Sequence, residues 1–299
     1  MTNFFAKILP FYIFLGLSFS AIAEPVRNVS GDTILSGNLV LAEDKGLTDG
    51  IALITHGTLA HSSMDIIKSL QENLQNAGHS SLAINLSLAD PTREFMYDCK
   101  VPHRHEHHDA VVEIESWVGW LKKKGAASVT VIGHSRGGNQ TAWYAAERIS
   151  KIVDKVVLVA PATWSRVATD QGYENRYKVP LANVLERAKG LAQDGQGDSI
   201  MSSVGFLYCA QADVTAATFI SYYQSDKRKN SPDLLADIPR PTLIVAASED
   251  KVIRDLVSQV QKRPSLDHVK LEIVDGAGHF FRDLYGEDLS DLIVEFLEN

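Results

Sequence analysis

Apolar positions along the chain follow two different spacings. Short apolar runs predict buried strands at Ile51–Thr55, Ser81–Leu86, Ser128–Ile132, Val156–Ala160, Thr242–Ala247 and Val269–Val274. The stretches between them carry helical periodicity. In Met64–Ala77, residues Ile66, Ile67, Leu70 and Leu74 share one face, and Gly78 stops the helix. His107–Lys124 turns Val111, Ile114, Trp117, Val118 and Leu121 inward and ends at Gly125. Further helices are predicted over the Ala-rich Asn139–Arg148, near Val252–Gln261 and over Asp288–Leu297. Ahead of all these, Asp32–Glu43 reads as a hairpin with its turn near Gly37-Asn38.

Strands alternating with helices, nearly all of them buried runs, predict an α/β fold with a mostly parallel, doubly wound sheet. Right-handed crossovers then place the C-terminal ends of the strands along one edge, where chemistry should collect. The rhythm stops from about residue 163 to 238. That stretch mixes helix formers with Trp164, Tyr173, Tyr177, Phe206, Tyr208, Phe219, Tyr222 and Tyr223, and predicts a mostly helical cap or lid insertion within one domain, 24–299.

The first 23 residues stand apart from this pattern. Lys7 is the only charged side chain before Glu24, Ile8–Phe19 is apolar, and Ala21-Ile22-Ala23 has the small-x-small form of a cleavage site. This is the pattern of a secretory signal peptide, with a mature chain starting at Glu24; a retained membrane anchor is the alternative. The expected location is the periplasm or the medium. The chain of 299 residues is 45% hydrophobic and 22% charged, ordinary values for a globular protein. Its net charge of −8 argues against nucleic acid or anionic lipid as a partner. Cys99 and Cys209, the two cysteines, lie in the exported part and form either one disulfide or two unrelated thiols.

The candidate chemistry sits at three predicted strand ends. Gly133-His134-Ser135-Arg136-Gly137 is a G-x-S-x-G pattern between a strand and a helix. Glycines two residues either side of Ser135 remove the Cβ atoms that collide across so sharp a turn. The serine is thereby lifted above the sheet at a helix N-terminus, where free amides favour a developing oxyanion. Ser248-Glu249-Asp250 follows a second strand, and Gly276-Ala277-Gly278-His279 follows the last. The order is serine, acid, histidine. A serine needs a base to act as a nucleophile, His279 can supply it, and Asp250 can fix the imidazole tautomer. Glu249 and Asp275 are neighbouring candidates for the acid.

With these residues in this order, the chain resembles the α/β-hydrolase-fold serine hydrolases of the esterase and lipase kind over nearly all of its mature length. The resemblance favours Asp250, three residues before Ile253, as the acid. It implies that His56-Gly57 opens an oxyanion loop, with backbone amides from Thr58 and Arg136 forming the oxyanion hole. Two positions depart from the family pattern: Ala60 replaces the second glycine of H-G-x-x-G, and Ala247 replaces the glycine before the acid.

Other histidines read as structural. His56 reads as a core histidine, and His134 fills the variable position of the serine turn. His103-Arg104-His105-Glu106-His107-His108-Asp109 invites a metal reading, but its spacing is poor and no distant ligand is identifiable. A solvated polar loop leading to a helix opened by Asp109 is the preferred reading. The expected function is cleavage of a small-molecule carboxylic ester through an acyl-enzyme, with no metal or organic cofactor. Peptidase, thioesterase and acyltransferase activities of the same fold are alternatives, as is a binding protein that kept the fold.

Overall fold

The computed structural model describes residues 23–90 and 93–299. It opens with the antiparallel pair β1 (Glu24–Ser30) and β2 (Thr33–Val40). There follow β3 (Ile51–Thr55), α1 (Asp65–Asn76), β4 (Ser81–Asn85), α2 (Asp109–Lys123), β5 (Val129–His134), α3 (Arg136–Glu147) and β6 (Val153–Val159). The next stretch holds α4 (Arg166–Tyr177), α5 (Leu181–Gln193), the antiparallel pair β7 (Ile200–Phe206) and β8 (Cys209–Thr215), α6 (Ala216–Tyr223) and the short α7 (Ser231–Leu234). The chain closes with β9 (Thr242–Ala247), α8 (Leu256–Gln261), β10 (Val269–Val274) and α9 (Leu284–Glu298).

Eight strands form one sheet in the order β1-β2-β4-β3-β5-β6-β9-β10. From β4 across to β10 every neighbouring pair is parallel. Because side chains alternate along a strand, each strand feeds two cores. Leu53, Val131 and Leu158 face the core built with Ile114 and Trp117 of α2 and Ala142 and Tyr144 of α3. Ile54, Ile132, Val157 and Val159 face the opposite core, with Ile67, Leu70 and Leu74 of α1 and Ile293 of α9. Full burial of such a side chain stabilises the fold by about 1.5–3 kcal/mol, so both layers hold the sheet firmly. The loops after β3, β5, β9 and β10 consequently leave along one fixed edge.

The amino-terminal hairpin differs from expectation. Its turn is Gly31-Asp32, between β1 and β2, and Gly37 lies inside β2. Gly31 has φ +58°, which suits a turn. Gly37 serves close approach instead: a Cβ there would stand 3.0 Å from the Ala83 carbonyl oxygen and 3.1 Å from Leu82 Cδ1. The predicted leader over residues 1–23 lies outside the described residues apart from Ala23. Among the described residues, no helix is long and apolar enough to cross a membrane.

The stretch between β6 and β9 is less helical than its composition suggests, because it contains β7 and β8. Their register shifts between Met201 and Val204 and again between Val204 and Phe206, which erases the clean alternation of a strand. The histidine-rich segment is not a solvated loop. His103, His105 and His107 are buried while Arg104 and His108 are exposed. His103 adds to β8 as a strand residue does, donating its N–H to the Asp213 carbonyl at 2.7 Å and accepting from Thr215 N at 3.0 Å. Cys99 and Cys209 are joined by a disulfide across 110 residues. It ties the segment after β4 to the start of β8.

Candidate active site

Ser135 stands between β5 and α3 with φ 58° and ψ −121°. A side-chain-bearing residue holds such angles only where its surroundings enforce them, at a cost of about 1–3 kcal/mol. The flanking glycines show how tight the turn is. A Cβ at Gly133 would lie 2.5 Å from the Gly137 carbonyl oxygen, and one at Gly137 would lie 2.2 Å from that of His56. Three backbone hydrogen bonds fix the turn: Ser135 N to Val159 O at 2.9 Å, Ala162 N to Ser135 O at 2.9 Å, and Asn139 N to Ser135 O at 3.2 Å.

The structure brings Ser135, His279 and Asp250 together from three strand ends. Ser135 Oγ lies 2.9 Å from His279 Nε2, and His279 Nδ1 lies 2.7 Å from Asp250 Oδ2. The His279 and Asp250 side chains are both buried. Asp250 Oδ1 accepts from Val252 N at 2.7 Å and Ile253 N at 2.8 Å. Burial pushes the Asp250 carboxyl up, but hydrogen bonds from His279 and these amides outweigh it and hold the group below its usual range. An ionised Asp250 keeps the proton of His279 on Nδ1, leaving Nε2 free to accept from the serine.

Among the described residues, neither neighbouring acid pairs with His279. Asp275 Oδ1 accepts from the Ser248 hydroxyl at 3.0 Å, and Glu249 uses its backbone N–H to bond the Ala277 carbonyl at 2.9 Å. Both contacts lace the β9 loop to the β10 loop. Among the described residues, Asp250 is the carboxylate that meets His279. His134 secures the same loop from below, donating from Nε2 to the His279 carbonyl at 2.9 Å. Burial, then the nearby His279, lowers the His134 pKa to about 3, so its ring is neutral.

Thr58 and Arg136 flank the serine. Gly57 runs so close that a Cβ there would stand 3.2 Å from Ser135 Cβ. The Arg136 side chain reaches across to Thr58, its Nε donating to Thr58 Oγ1 at 3.0 Å. His56 lies beneath the loop and is structural: its Nδ1 bonds the Gly57 carbonyl at 2.9 Å and its Nε2 accepts from Leu86 N at 3.0 Å. Burial, then the nearby Arg93, lowers its pKa to about 3.

Sequence reasoning missed Met96, Phe280, Arg282 and Arg93 around this centre, whereas Tyr208 is one of the insertion aromatics it singled out. A cavity of about 390 Å³ opens over Ser135 and His279, and Met96, Tyr208, Phe280 and Arg282 line its walls. Met96 and Tyr208 lie near the two halves of the disulfide, a proximity that cysteine spacing alone does not give. Arg93 is buried and donates to the carbonyls of Ala60, Phe95 and Leu86, stitching the Thr58 loop to the segment after β4. Of the histidine cluster, His103 Nδ1 pairs with His105 Nε2 at 3.0 Å, and His105 Nδ1 with the Tyr222 hydroxyl at 2.8 Å. Their signal was histidine at every second position, 103, 105 and 107, the period of a strand. Among the described residues, no group of three His, Cys, Asp or Glu side chains is placed to hold a metal ion.

Comparison with known proteins agrees with this architecture. The profile described as the alpha/beta hydrolase family matches residues 52–292. No curated protein matches the chain. Similar solved structures include Est1E from Butyrivibrio proteoclasticus, at 17% identity and TM-score 0.62, covering 91% of this chain and 97% of that one. Its form with ferulic acid bound gives 16% identity and TM-score 0.66 over the same shares. A Pyrococcus furiosus esterase is 15% identical at TM-score 0.60, over 93% of this chain and 91% of its own. Dienelactone hydrolase from Anabaena variabilis is 18% identical at TM-score 0.55, over 93% and 97%. At such identities these likenesses speak for the fold alone, whereas the profile spans most of the sequence: the chain belongs to the alpha/beta hydrolase family.

Proposed function

We propose that this protein is an exported serine hydrolase that cleaves small carboxylic esters through an acyl-enzyme. The observation that carries the reading is the hydrogen-bonded series Ser135–His279–Asp250 beneath an open cavity. Ser135 Oγ attacks the ester carbonyl as His279 Nε2 takes its proton. Asp250 stabilises the imidazolium, and His279 returns the proton to the departing alkoxide. Water, activated by the same imidazole, then releases the acid and restores Ser135. The backbone amides of Thr58 and Arg136 receive the oxyanion in both halves.

A cavity of about 390 Å³ suits a small-molecule substrate. Met96, Tyr208 and Phe280 offer apolar walls to the acyl or alcohol group. Est1E, a similar fold, is known with ferulic acid bound. Labelling by a fluorophosphonate, followed by a panel of esters, tests this function; absence of both labelling and turnover refutes it. Export rests on the leader pattern over residues 1–23 and on the Cys99–Cys209 disulfide, a bond suited to an oxidising compartment. Intact mass of the exported protein checks it: a chain beginning at Glu24 is expected, and retention of Met1 contradicts it.

A further inference from the structure

The two ends of the main sheet are built differently. At one end, β1 carries Pro25, which has no N–H to add to a ladder, and its Asn28 is tied to Ser116 of α2 at 3.0 Å. At the other end, β10 has neither proline nor glycine, and its register on β9 runs from Val269 to Val274 without a shift. Among the described residues it pairs with β9 alone. Thr242 N donates to the His268 carbonyl at 2.7 Å, and Ser248 N donates to the Val274 carbonyl at 3.1 Å. Backbone groups alternate in direction along a strand, so the even-numbered residues of β10 face β9. The N–H and C=O groups of Leu271 and Ile273 therefore face away from the sheet, as does the Val269 carbonyl. Val269 N is spent on the Leu266 carbonyl at 2.9 Å. Edges of this kind are templates for another strand.

The side chains along this edge are complementary to themselves. In an antiparallel pair whose two-fold axis passes through Leu271, position 270 stands opposite 272, and 269 opposite 273. Lys270 then meets Glu272 of the second copy, and Glu272 meets its Lys270. An axis at residue 270 or 272 instead sets lysine against lysine or glutamate against glutamate, which is unfavourable. Charge thus selects one register. Lys270 Nζ and Glu272 Oε1 already lie 3.1 Å apart within one chain, so the pair becomes an alternating group of four charges. The apolar face agrees with the same register. Ile273 is 43% exposed. It comes to stand opposite Val269, which with Leu235, Val260, Leu266 and Leu271 lines an apolar hollow of about 410 Å³ beside the edge. We infer that two copies of this chain associate through antiparallel β10 strands centred on Leu271, joining their eight-stranded sheets into one. Leu271 N–H donates to the Leu271 carbonyl of the second copy and Ile273 N–H to its Val269 carbonyl, with the reverse bonds given by symmetry. None of these residues lines the cavity over Ser135, so the candidate active site stays open in the pair.

Sedimentation equilibrium is the test, at chain concentrations up to about 100 μM, since micromolar affinity is the weak end for a specific interface of standard size. The wild type should weigh as two chains. Lys270→Glu and Glu272→Lys should each raise the dissociation constant about 10–100-fold, because symmetry sets two pairs of like charges face to face. An equal mixture of the two variants should regain the wild-type constant to within about threefold, since every pair is then opposite in sign. Lys270→Glu/Glu272→Lys should do the same by itself. Leu271→Pro should weigh as one chain: it deletes the central donor, and an edge strand tolerates proline. Oxidation should link Leu271→Cys chains to each other, since residues paired in this way stand about 5.5 Å apart. Ile273→Cys should stay unlinked, because its two copies lie about 14 Å apart. Thermal unfolding verifies that each variant is folded, and the charge variants carry the test if Leu271→Pro is not. None of these outcomes depends on whether the protein turns over esters. A wild type that weighs as one chain, charge reversals within twofold of the wild type, a mixture no tighter than its components, or linkage at Ile273→Cys without linkage at Leu271→Cys overturns the inference.

Discussion

Asp250 gives one carboxylate oxygen to His279 at 2.7 Å and the other to the amides of Val252 and Ile253. The same side chain thus orients the imidazole and is itself oriented by the backbone that follows it. Glu249 and Asp275, adjacent in sequence to the acid and near the histidine, make no such pair.

A ranking of acid variants follows from that geometry. Asp250→Asn spoils the tautomer of His279 and removes the charge that balances the imidazolium, and a loss in kcat of about 10³–10⁴-fold is expected. Glu249→Gln and Asp275→Asn should stay within about threefold of the wild type, since neither touches His279. Ester kinetics at fixed pH measure all three. A severe loss at Glu249 with a mild one at Asp250 contradicts the assignment.

The disulfide should govern both stability and the cavity wall. It closes a loop with a sequence separation of 110. In the chain-entropy model a loop of that length contributes about 4–5 kcal/mol, less any strain. Cys99→Ser/Cys209→Ser is therefore expected to unfold at clearly lower denaturant concentration. Met96 and Tyr208 face the cavity from the two joined segments, so KM should rise as well. Equal unfolding midpoints for wild type and double variant count against this account.

Stability should fall on mild acidification. Burial lowers His56, His105 and His134 to about 3 and His103 to about 4, against an ordinary value of 6.5. Between these limits the unfolded chain binds protons that the folded chain refuses, so stability drops as pH falls from about 6.5 toward 4. Each of these histidines contributes up to about 1.4 kcal/mol per pH unit. Glu113, raised to about 7 by burial, has the opposite sign: folded, it keeps a proton that the unfolded chain releases, and it costs stability as pH rises toward 7. The histidines outnumber it. Urea midpoints should decline steadily from about pH 6.5 to pH 5, and a flat or rising profile contradicts the assignment.

What the sequence reveals is tied to short-range constraint. Gly133 and Gly137 are needed at their spacing for steric reasons, so the serine turn is legible from five residues. The parallel strands are legible because both faces are buried and the runs are continuous. Gly37 misleads because a glycine that admits a neighbouring strand looks the same as one that makes a turn. His103, His105 and His107 mislead because residue type outweighs period: three polar rings on the buried side of an extended segment resemble solvent-facing chain. Their burial becomes favourable only once Tyr97, Phe206 and Tyr222 arrive from elsewhere to pack against the rings. The contact of Arg136 with Thr58 spans 78 residues and has no local signature.

The most direct test of the central claim is titration with a fluorophosphonate, read by intact and peptide mass spectrometry. One equivalent should add to the protein, the adduct should map to Ser135, and ester turnover should vanish in proportion to labelling. Ser135→Ala should take no label and lose several orders of magnitude in kcat, about as much as His279→Ala. Label on another residue, or undiminished turnover in Ser135→Ala, contradicts the account.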